Sequence, residues 1–122
     1  MERTYVVFVS TEEVDDDDYS AVTDWAWDNI AHPQVLLLTE DEVYFLQYET
    51  PILDIINEEI KGMLQVTEND WIISEAHKRR IEKRMACYLA ESPNDKAVLL
   101  ASKILEVLRT SIRTGRNMYF NF

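Results

Sequence analysis

The stretch Thr4-Tyr5-Val6-Val7-Phe8-Val9 decides the fold class, because every position after Thr4 is β-branched or aromatic. Such residues favour extended backbone, and a run without polar alternation is typical of a strand that is covered on both faces. We therefore expect a buried strand here. The next segment, from Ser10 to Asp17, is polar and acidic, and it is too charged to pack, so it is predicted to be a loop.

A helix is predicted after that loop. Asp18 or Ser20 can serve as its N-cap. His32-Pro33 ends it, because the residue before a proline is disfavoured in the α region. Apolar residues recur within the segment at the spacing of an amphipathic helix. The residues that share this stripe, and that we expect in the core, are Tyr19, Val22, Trp25, Ala26 and Ile30.

Two further strands are predicted next along the chain. Residues 35–39 and 43–48 are rich in leucine, β-branched and aromatic side chains. Only Glu40-Asp41-Glu42 joins the two runs, and a connection of this length suits a hairpin. We therefore expect these runs to form an antiparallel pair.

The remainder of the chain predicts three helices, and the first two have clear start signals. Pro51 suits the first turn of a helix, which would run to Leu64. Thr67 and Asp70 resemble a capping box for the second helix, which would run to about Ala90.

The third of these helices is predicted from Ser92-Pro93, a capping serine with proline at the first helical position, to Gly115, which suits a left-handed cap. Residues 118–122 form an apolar tail that we expect to dock on the body of the protein.

The predicted element order, β-α-β-β-α-α-α, is an α+β fold in a single domain over residues 1–122. Its acidic α/β half, residues 1–66, would hold a small three-stranded, mostly antiparallel sheet with one helix. Its basic helical half, residues 67–122, would complete the three packed helices.

Charge is divided unevenly along the chain. Residues 1–75 hold nineteen acids and two bases, a balance of −17, and residues 76–122 hold four acids and ten bases, a balance of +6, which together give the net charge of −11. So concentrated a negative charge repels itself in the compact state and attracts basic partners. We therefore expect the acidic part to carry the function.

The first candidate site is an acidic and aromatic surface around the first helix. Rows of carboxylates could imitate the phosphates of DNA, and tryptophan is enriched among interface hot spots. The alternative is that the aspartates are merely solvated and the tryptophan is partly covered. The predicted partner-binding residues are Asp15, Asp16, Asp17, Asp18, Asp24, Trp27 and Asp28.

The second candidate site is the basic segment 77–84. Five bases in eight residues could contact phosphates, as the helices of nucleic-acid-binding proteins do. The competing interpretation is that these bases pair with the acidic half inside the fold, where each exposed pair contributes about 0.2–1 kcal/mol. The residues concerned are Lys78, Arg79, Arg80, Lys83 and Arg84.

Enzyme and cofactor chemistry finds little support in the sequence. The two glycines cannot build the glycine-rich loops of nucleotide sites. His77 and Cys87 lie about 15 Å apart along the axis of one predicted helix, too far to act as base and nucleophile. The Asp15–Asp18 run lacks the glycine and the ligand spacing of an EF-hand. We expect no enzyme activity, no metal and no cofactor.

The single cysteine, Cys87, excludes an internal disulfide and fits a reducing compartment. The first residues, Met1 to Thr4, do not resemble a secretory signal. No apolar run approaches the roughly 18–20 residues that a membrane span requires. We therefore expect a cytoplasmic protein without membrane contact.

In size and charge the chain is similar to two groups of small acidic inhibitors, the bacterial immunity proteins that neutralise nuclease toxins and the phage proteins that mimic DNA. The likeness covers no motif, so no residue is carried over from it. Together with the charge pattern it implies a non-enzymatic protein that blocks a basic nucleic-acid-handling protein, such as a nuclease.

Two alternatives remain open. One is a nucleic-acid-binding regulator or assembly protein that uses the basic helix 77–84. The other is a structural subunit whose two charged halves join head to tail between copies.

Overall fold

The structure is a computed structural model that describes residues 3–92 and 94–122. The strands are β1 (Thr4–Phe8), β2 (Val35–Thr39), β3 (Asp70–Ile72) and β4 (Met118–Asn121). The helices are α1 (Tyr19–Asp28), α2 (Glu40–Glu49), α3 (Ile52–Ile60), α4 (Glu75–Glu91) and α5 (Asp95–Thr114). The predicted α+β class is confirmed, but the described residues form one strand and one helix more than predicted.

The four strands form one antiparallel sheet in the order β2-β1-β4-β3. β1 pairs with β2 on one side, where Phe8 lies opposite Val35. It pairs with β4 on the other side, where Val7 lies opposite Phe120. The apolar run at the start of the chain therefore occupies the interior of the sheet.

Both faces of β1 are covered, as its apolar run predicts. Val6 and Phe8 pack against α1 on one face. Tyr5, Val7 and Val9 belong to the larger core on the other face, which α2, α3, α4 and α5 complete. Because successive side chains of a strand point in opposite directions, one short run contributes to both cores.

Residues 43–48 belong to α2, so the predicted strand and hairpin are wrong. The Thr39 hydroxyl accepts the backbone N–H of Glu42 at 3.2 Å, and the Glu42 carboxylate accepts the Thr39 N–H at 2.9 Å, which completes a capping box. Three acids in the first turn also favour the helix dipole. These local contacts, with Val43 and Leu46 buried at helical spacing, outweigh the β propensity of the aromatic residues.

Residues 118–121 pack into the body of the protein, as expected of the apolar tail, but they do so as β4 in the interior of the sheet, a strand that was not predicted. Met118 and Phe120 face the larger core, whereas Tyr119 faces α1. A strand that is buried on both faces shows no polar alternation, and this one pairs with residues more than a hundred positions earlier. The second half of the chain therefore contributes two of the four strands.

The capping box predicted from Thr67 and Asp70 is wrong. Thr67 has a left-handed φ of 71°, and Asp70 begins β3. α4 starts later, where the Ser74 side chain accepts a backbone N–H as the N-cap. The preceding helix α3 ends at Ile60 rather than at Leu64.

The end of α1 differs from the prediction as well. The helix stops at Asp28, several residues before His32-Pro33. Ile30 therefore lies beyond the helix and is exposed, not part of the core as expected.

The start of α5 also shifts. Its N-cap is Asn94, whose side chain accepts the Ala97 N–H at 3.0 Å, rather than Ser92. Pro93, which belongs to the predicted start signal, lies outside the described residues. Gly115 adopts the left-handed cap conformation with a φ of 74°, as predicted.

The Phe120→Ala substitution should destabilise the protein strongly. The Phe120 side chain is fully buried in β4, between β1 and β3. Such a core truncation costs about 3–5 kcal/mol, a large share of the stability of a domain this size. Urea unfolding followed by circular dichroism measures the loss.

Leu99→Ala is the matched control, because Leu99 is an exposed apolar residue on α5. Its cost should stay within about 0.5 kcal/mol. Equally small losses for both variants would contradict the interior position of β4.

Candidate partner-binding surface

The outer face of α1 carries Asp24, Trp27 and Asp28, all of them exposed. The opposite face of the helix is buried against the sheet through Val22, Trp25 and Ala26. Residues three and four positions apart on a helix are neighbours on its surface. The structure therefore brings these three predicted site residues together in one patch open to solvent.

Trp25 is a core residue, as predicted. Its indole N–H donates to the Glu13 carboxylate at 2.8 Å, and the Thr11 hydroxyl donates to the same oxygen. The hydrogen bonds from Thr11 and Trp25 lower the pKa of Glu13 below its ordinary value. This contact fixes the segment before α1 against the helix.

The four consecutive aspartates do not form a row of free carboxylates. Asp15 accepts the backbone N–H of Asp17 at 3.0 Å. Asp18 is the N-cap of α1 and accepts the Ala21 N–H at 3.1 Å. Asp17 is exposed, whereas Asp16 is half-buried. The run is therefore a folded turn whose carboxylates have different partners.

Asp16 is tied to the residues that precede β4. Its carboxylate accepts the backbone N–H of Asn117 at 2.7 Å and the Ser10 hydroxyl at 3.4 Å. The Arg116 guanidinium lies 3.7 Å from the same carboxylate. Of the predicted partner-binding residues, Asp16 is thus the one that the described residues hold through a salt bridge.

Arg116 holds the whole segment from Ser10 to Asp17, which we call the acidic loop. Its guanidinium donates to the Ser10 carbonyl at 2.9 Å, to the Ser10 hydroxyl at 2.8 Å and to the Val14 carbonyl at 2.8 Å. We call these contacts, with the one to Asp16, the Arg116 clamp. The clamp therefore holds the loop that leads to Asp18, the N-cap of α1.

Tyr119 supports the same loop from the sheet. Its hydroxyl donates to the Asp16 carbonyl and accepts the Asn117 amide at 3.2 Å. Burial, with the nearby charges of Asp16 and Asp17, raises the pKa of Tyr119. The hydroxyl therefore remains a donor over the neutral pH range.

The basic segment is not a free cationic surface. Arg80 and Arg84 reach the Glu59 carboxylate at 2.7 Å and 3.1 Å. Arg84 also reaches Glu58 at 2.8 Å. Both acids lie on α3, so these arginines join α4 to the neighbouring helix.

The other bases of this segment differ in exposure. Lys78 is buried, and its ammonium donates to the Arg116 carbonyl at 2.9 Å, while burial lowers the pKa of Lys78. Arg79 pairs with Glu75 at 3.3 Å on the same helix. Lys83 is exposed. The contacts thus favour the interpretation that most of these bases serve the fold.

A second acidic and aromatic surface lies on α2, where a strand was expected from the sequence. Asp41, Tyr44, Tyr48 and Glu49 are exposed there. The rings of Tyr44 and Tyr48 stack with centroids 6.1 Å apart and planes 11° from parallel. The capping box at the start of α2 is the sequence signal that could have revealed this helical face.

The acids of α1 and α2 form no salt bridge with the bases that the structure describes. Within residues 3–92 and 94–122, no carboxylate of α1 or of the first turn of α2 takes part in a salt bridge. Their negative potential is therefore not compensated locally. The acids that do form salt bridges are Asp16, Glu58, Glu59, Glu75, Glu82 and Glu106.

Other kinds of site receive no support from the part of the chain that the structure describes. It contains no group of three or more His, Cys, Asp or Glu side chains placed to hold a metal ion. His77 is half-buried and Cys87 is exposed, both on α4. In the same residues no helix is long and apolar enough to cross a membrane.

The comparisons with known proteins show the fold. No protein-family model matches the chain, and no curated protein matches it significantly. A solved structure, the Neisseria DNA mimic protein DMP12, superimposes with a TM-score of 0.76 at 20% sequence identity. The match covers 98% of this chain and 100% of that one, so the two proteins share the complete fold.

The Glu59→Gln substitution should destabilise the protein at neutral pH and lose this effect in acid. Hydrogen bonds from Arg80 and Arg84 hold the pKa of Glu59 below its ordinary value of 4.5. A carboxylate whose pKa is depressed by folding contributes stability above its unfolded pKa, and that contribution is lost as the pH falls through the folded pKa. Urea unfolding from neutral pH to below 4.5 measures the difference between the two proteins.

Glu68→Gln serves as the control, because Glu68 is an exposed carboxylate outside the salt bridges of the described residues. It should unfold like the wild type at every pH. A difference between Glu59→Gln and the wild type that stays constant in acid would contradict the role of the ion pairs.

Proposed function

We propose that this protein is a non-enzymatic inhibitor of a basic nucleic-acid-handling protein, such as a nuclease, in the cytoplasm. The outer face of α1 would occupy the partner's nucleic-acid site. Asp24, Trp27 and Asp28 make the contacts, and the exposed Asp17 extends them. Asp15 and Asp18 add negative charge beside the start of α1, while Asp16 anchors the acidic loop to the residues that precede β4.

The observation that carries this proposal is the separation of charge in the folded molecule. The three arginines of α4 form salt bridges with acids on α3 and α4, whereas the acids of α1 face solvent without a salt bridge among the described residues. An uncompensated acidic surface steers a basic partner and raises its association rate.

The geometry of α1 suits the imitation of a phosphate strand. Asp24 and Asp28 are one turn apart, about 6 Å along the helix axis. Successive phosphates of one DNA strand rise about 3.4 Å along the axis, so two carboxylates at this spacing correspond in axial rise to every second phosphate, about 6.8 Å apart. Trp27 stands on the same face, and an exposed tryptophan can supply the apolar anchor that charge alone does not provide.

The structural neighbour supports the same class of function. Its name describes it as a DNA mimic protein, and it shares the fold over nearly the whole of both chains. At 20% identity this likeness supports the class of activity and names no partner for the present chain.

The geometry disfavours the alternative of direct nucleic-acid binding. Of the bases on α4, three arginines lie in salt bridges and Lys78 is buried. A phosphate backbone would also meet a molecule whose net charge is −11. The head-to-tail subunit would need the same bases to be free for a second copy.

A displacement assay tests the proposed function. The immobilised protein is used to recover its basic partner from the host, and the purified partner is then loaded with fluorescently labelled duplex DNA. The wild type should release the DNA in a salt-sensitive manner, as fluorescence anisotropy measures. The triple variant Asp24→Asn, Trp27→Ala, Asp28→Asn should need at least roughly ten times more protein.

The double variant Asp54→Asn, Glu91→Gln is the matched control. It removes the same number of exposed carboxylates from α3 and α4 and should release DNA like the wild type. Equal weakening in both variants would show that net charge alone acts and would overturn the α1 site. A salt-sensitive gel shift of DNA by this protein alone, lost when the bases of segment 77–84 become glutamine, would favour the alternative.

A further inference from the structure

Trp71 and Ile73 form an exposed apolar ridge at the β3 edge of the sheet. Trp71 lies in β3 and Ile73 just beyond its end, and both side chains line the same two clefts. Trp71 contacts α1 through Tyr19, so the ridge lies on the face of the sheet that carries α1. Trp71 is 44% exposed and Ile73 is 56% exposed, whereas Ile72 between them is buried in the larger core. We call this pair the Trp71 ridge.

Two clefts share the ridge as a wall. One, of about 190 Å³, lies between the ridge and residues Asp17 and Tyr19, at the junction of the acidic loop and α1. The other, of about 320 Å³, lies between the ridge and the facing residues of α3 and α4, and Asp70 lines it. An incoming side chain that contacts the ridge therefore has a cleft on either side to enter.

The packing of the fold does not require an apolar ridge at this edge. The Trp71 ring meets Tyr19 and Tyr119 with centroids 5.9 Å and 6.5 Å away, and nearly half of the residue remains in solvent. Exposed apolar residues on an outer strand invite unwanted pairing, and charged residues normally guard such edges. A tryptophan beside an isoleucine in this place is typical of a contact surface.

We propose that the Trp71 ridge is the apolar part of the same partner-binding surface and that it receives an apolar side chain flanked by lysine or arginine on the partner. This inference rests on the function proposed above. Asp17 borders one cleft and Asp70 the other, so negative charge frames the apolar contact on both sides. Asp17 also belongs to the acidic loop, which continues directly into α1.

Charge complementarity selects this occupant. A nucleic acid would bring phosphates towards Asp17 and Asp70, and a second copy of this chain would bring another net charge of −11. On a basic protein, a projecting apolar side chain can enter a cleft, and the lysines or arginines beside it can lie near Asp17 and Asp70. The apolar contact would also distinguish this partner from other basic proteins, which charge alone attracts equally.

Two synthetic peptides test the inference with a defined probe. Both contain the same number of lysines, which are separated by glycine in one peptide and by leucine in the other. Isothermal calorimetry should find that the wild type binds the leucine peptide about tenfold more tightly, because leucine buries apolar surface on the ridge. The variant Trp71→Ala, Ile73→Ala should lose this preference and bind the glycine peptide unchanged.

Leu99→Ala, which truncates an exposed apolar residue on α5, should keep the full preference for leucine. Ile73→Gln provides a second ridge variant if the double variant does not fold, because Ile73 lies just beyond β3 and is mostly exposed. It should reduce the preference by a smaller factor.

The ridge proposal is overturned if the wild type binds both peptides equally, or if the ridge variants keep the full preference for leucine. Neither measurement involves displacement of DNA, so the ridge can fail while the inhibitor function stands. Conversely, a leucine preference that depends on the ridge, in a protein that displaces no DNA from its partner, would leave the docking surface intact and refute the inhibitor function.

Discussion

The Arg116 clamp is the interaction on which the rest of the structure depends. The Arg116 guanidinium takes the place of the water molecules that would otherwise hydrogen-bond to the polar groups of the acidic loop. It contacts two carbonyls, one hydroxyl and the Asp16 carboxylate at once. Hydrogen bonds of a mostly buried, charged donor are stronger than neutral ones, and the rigid planar fork of arginine presents five donors to several acceptors at once. The clamp lets four consecutive aspartates fold into a turn that ends on the cap of α1.

Some charged residues of this protein form ion pairs with neighbouring helices, and others face solvent without an ion pair among the described residues. The three arginines of α4, together with Arg109 on α5, pair with acids on α3, α4 and α5. Such exposed pairs contribute little stability individually. The acids on α1 and α2 have no such contacts among the described residues, so they raise the energy of the compact state through mutual repulsion. A positively charged partner that binds to α1 and α2 would relieve this repulsion between carboxylates.

The elements that follow from the periodicity of their own residues can be predicted from the sequence. The contacts between residues far apart in the chain cannot. The run from Thr4 to Val9 and the stripe of α1 carry their own periodicity, so the buried strand and the outward position of Asp24 and Trp27 follow from them. The aromatic and β-branched residues at 43–48 predict a strand, whereas the capping box at Thr39, a local signal that the prediction did not use, makes the segment helical. The sequence predicts Lys78 on an exposed basic surface. Its ammonium is instead buried against a backbone carbonyl thirty-eight positions away, a contact that no local pattern reveals.

The sheet also imposes an order on folding. β1 can pair with β2, which lies about thirty positions later in the sequence. Its other edge stays unpaired until β4 has formed, because Val7 pairs with Phe120. Contacts between such distant segments form late and slowly. Until the segment around Arg116 and β4 is in place, the acidic loop has no clamp and the first residues of α1 have no fixed position. The surface around α1 is therefore completed together with the sheet, and a partly synthesised chain would be acidic without yet presenting this surface.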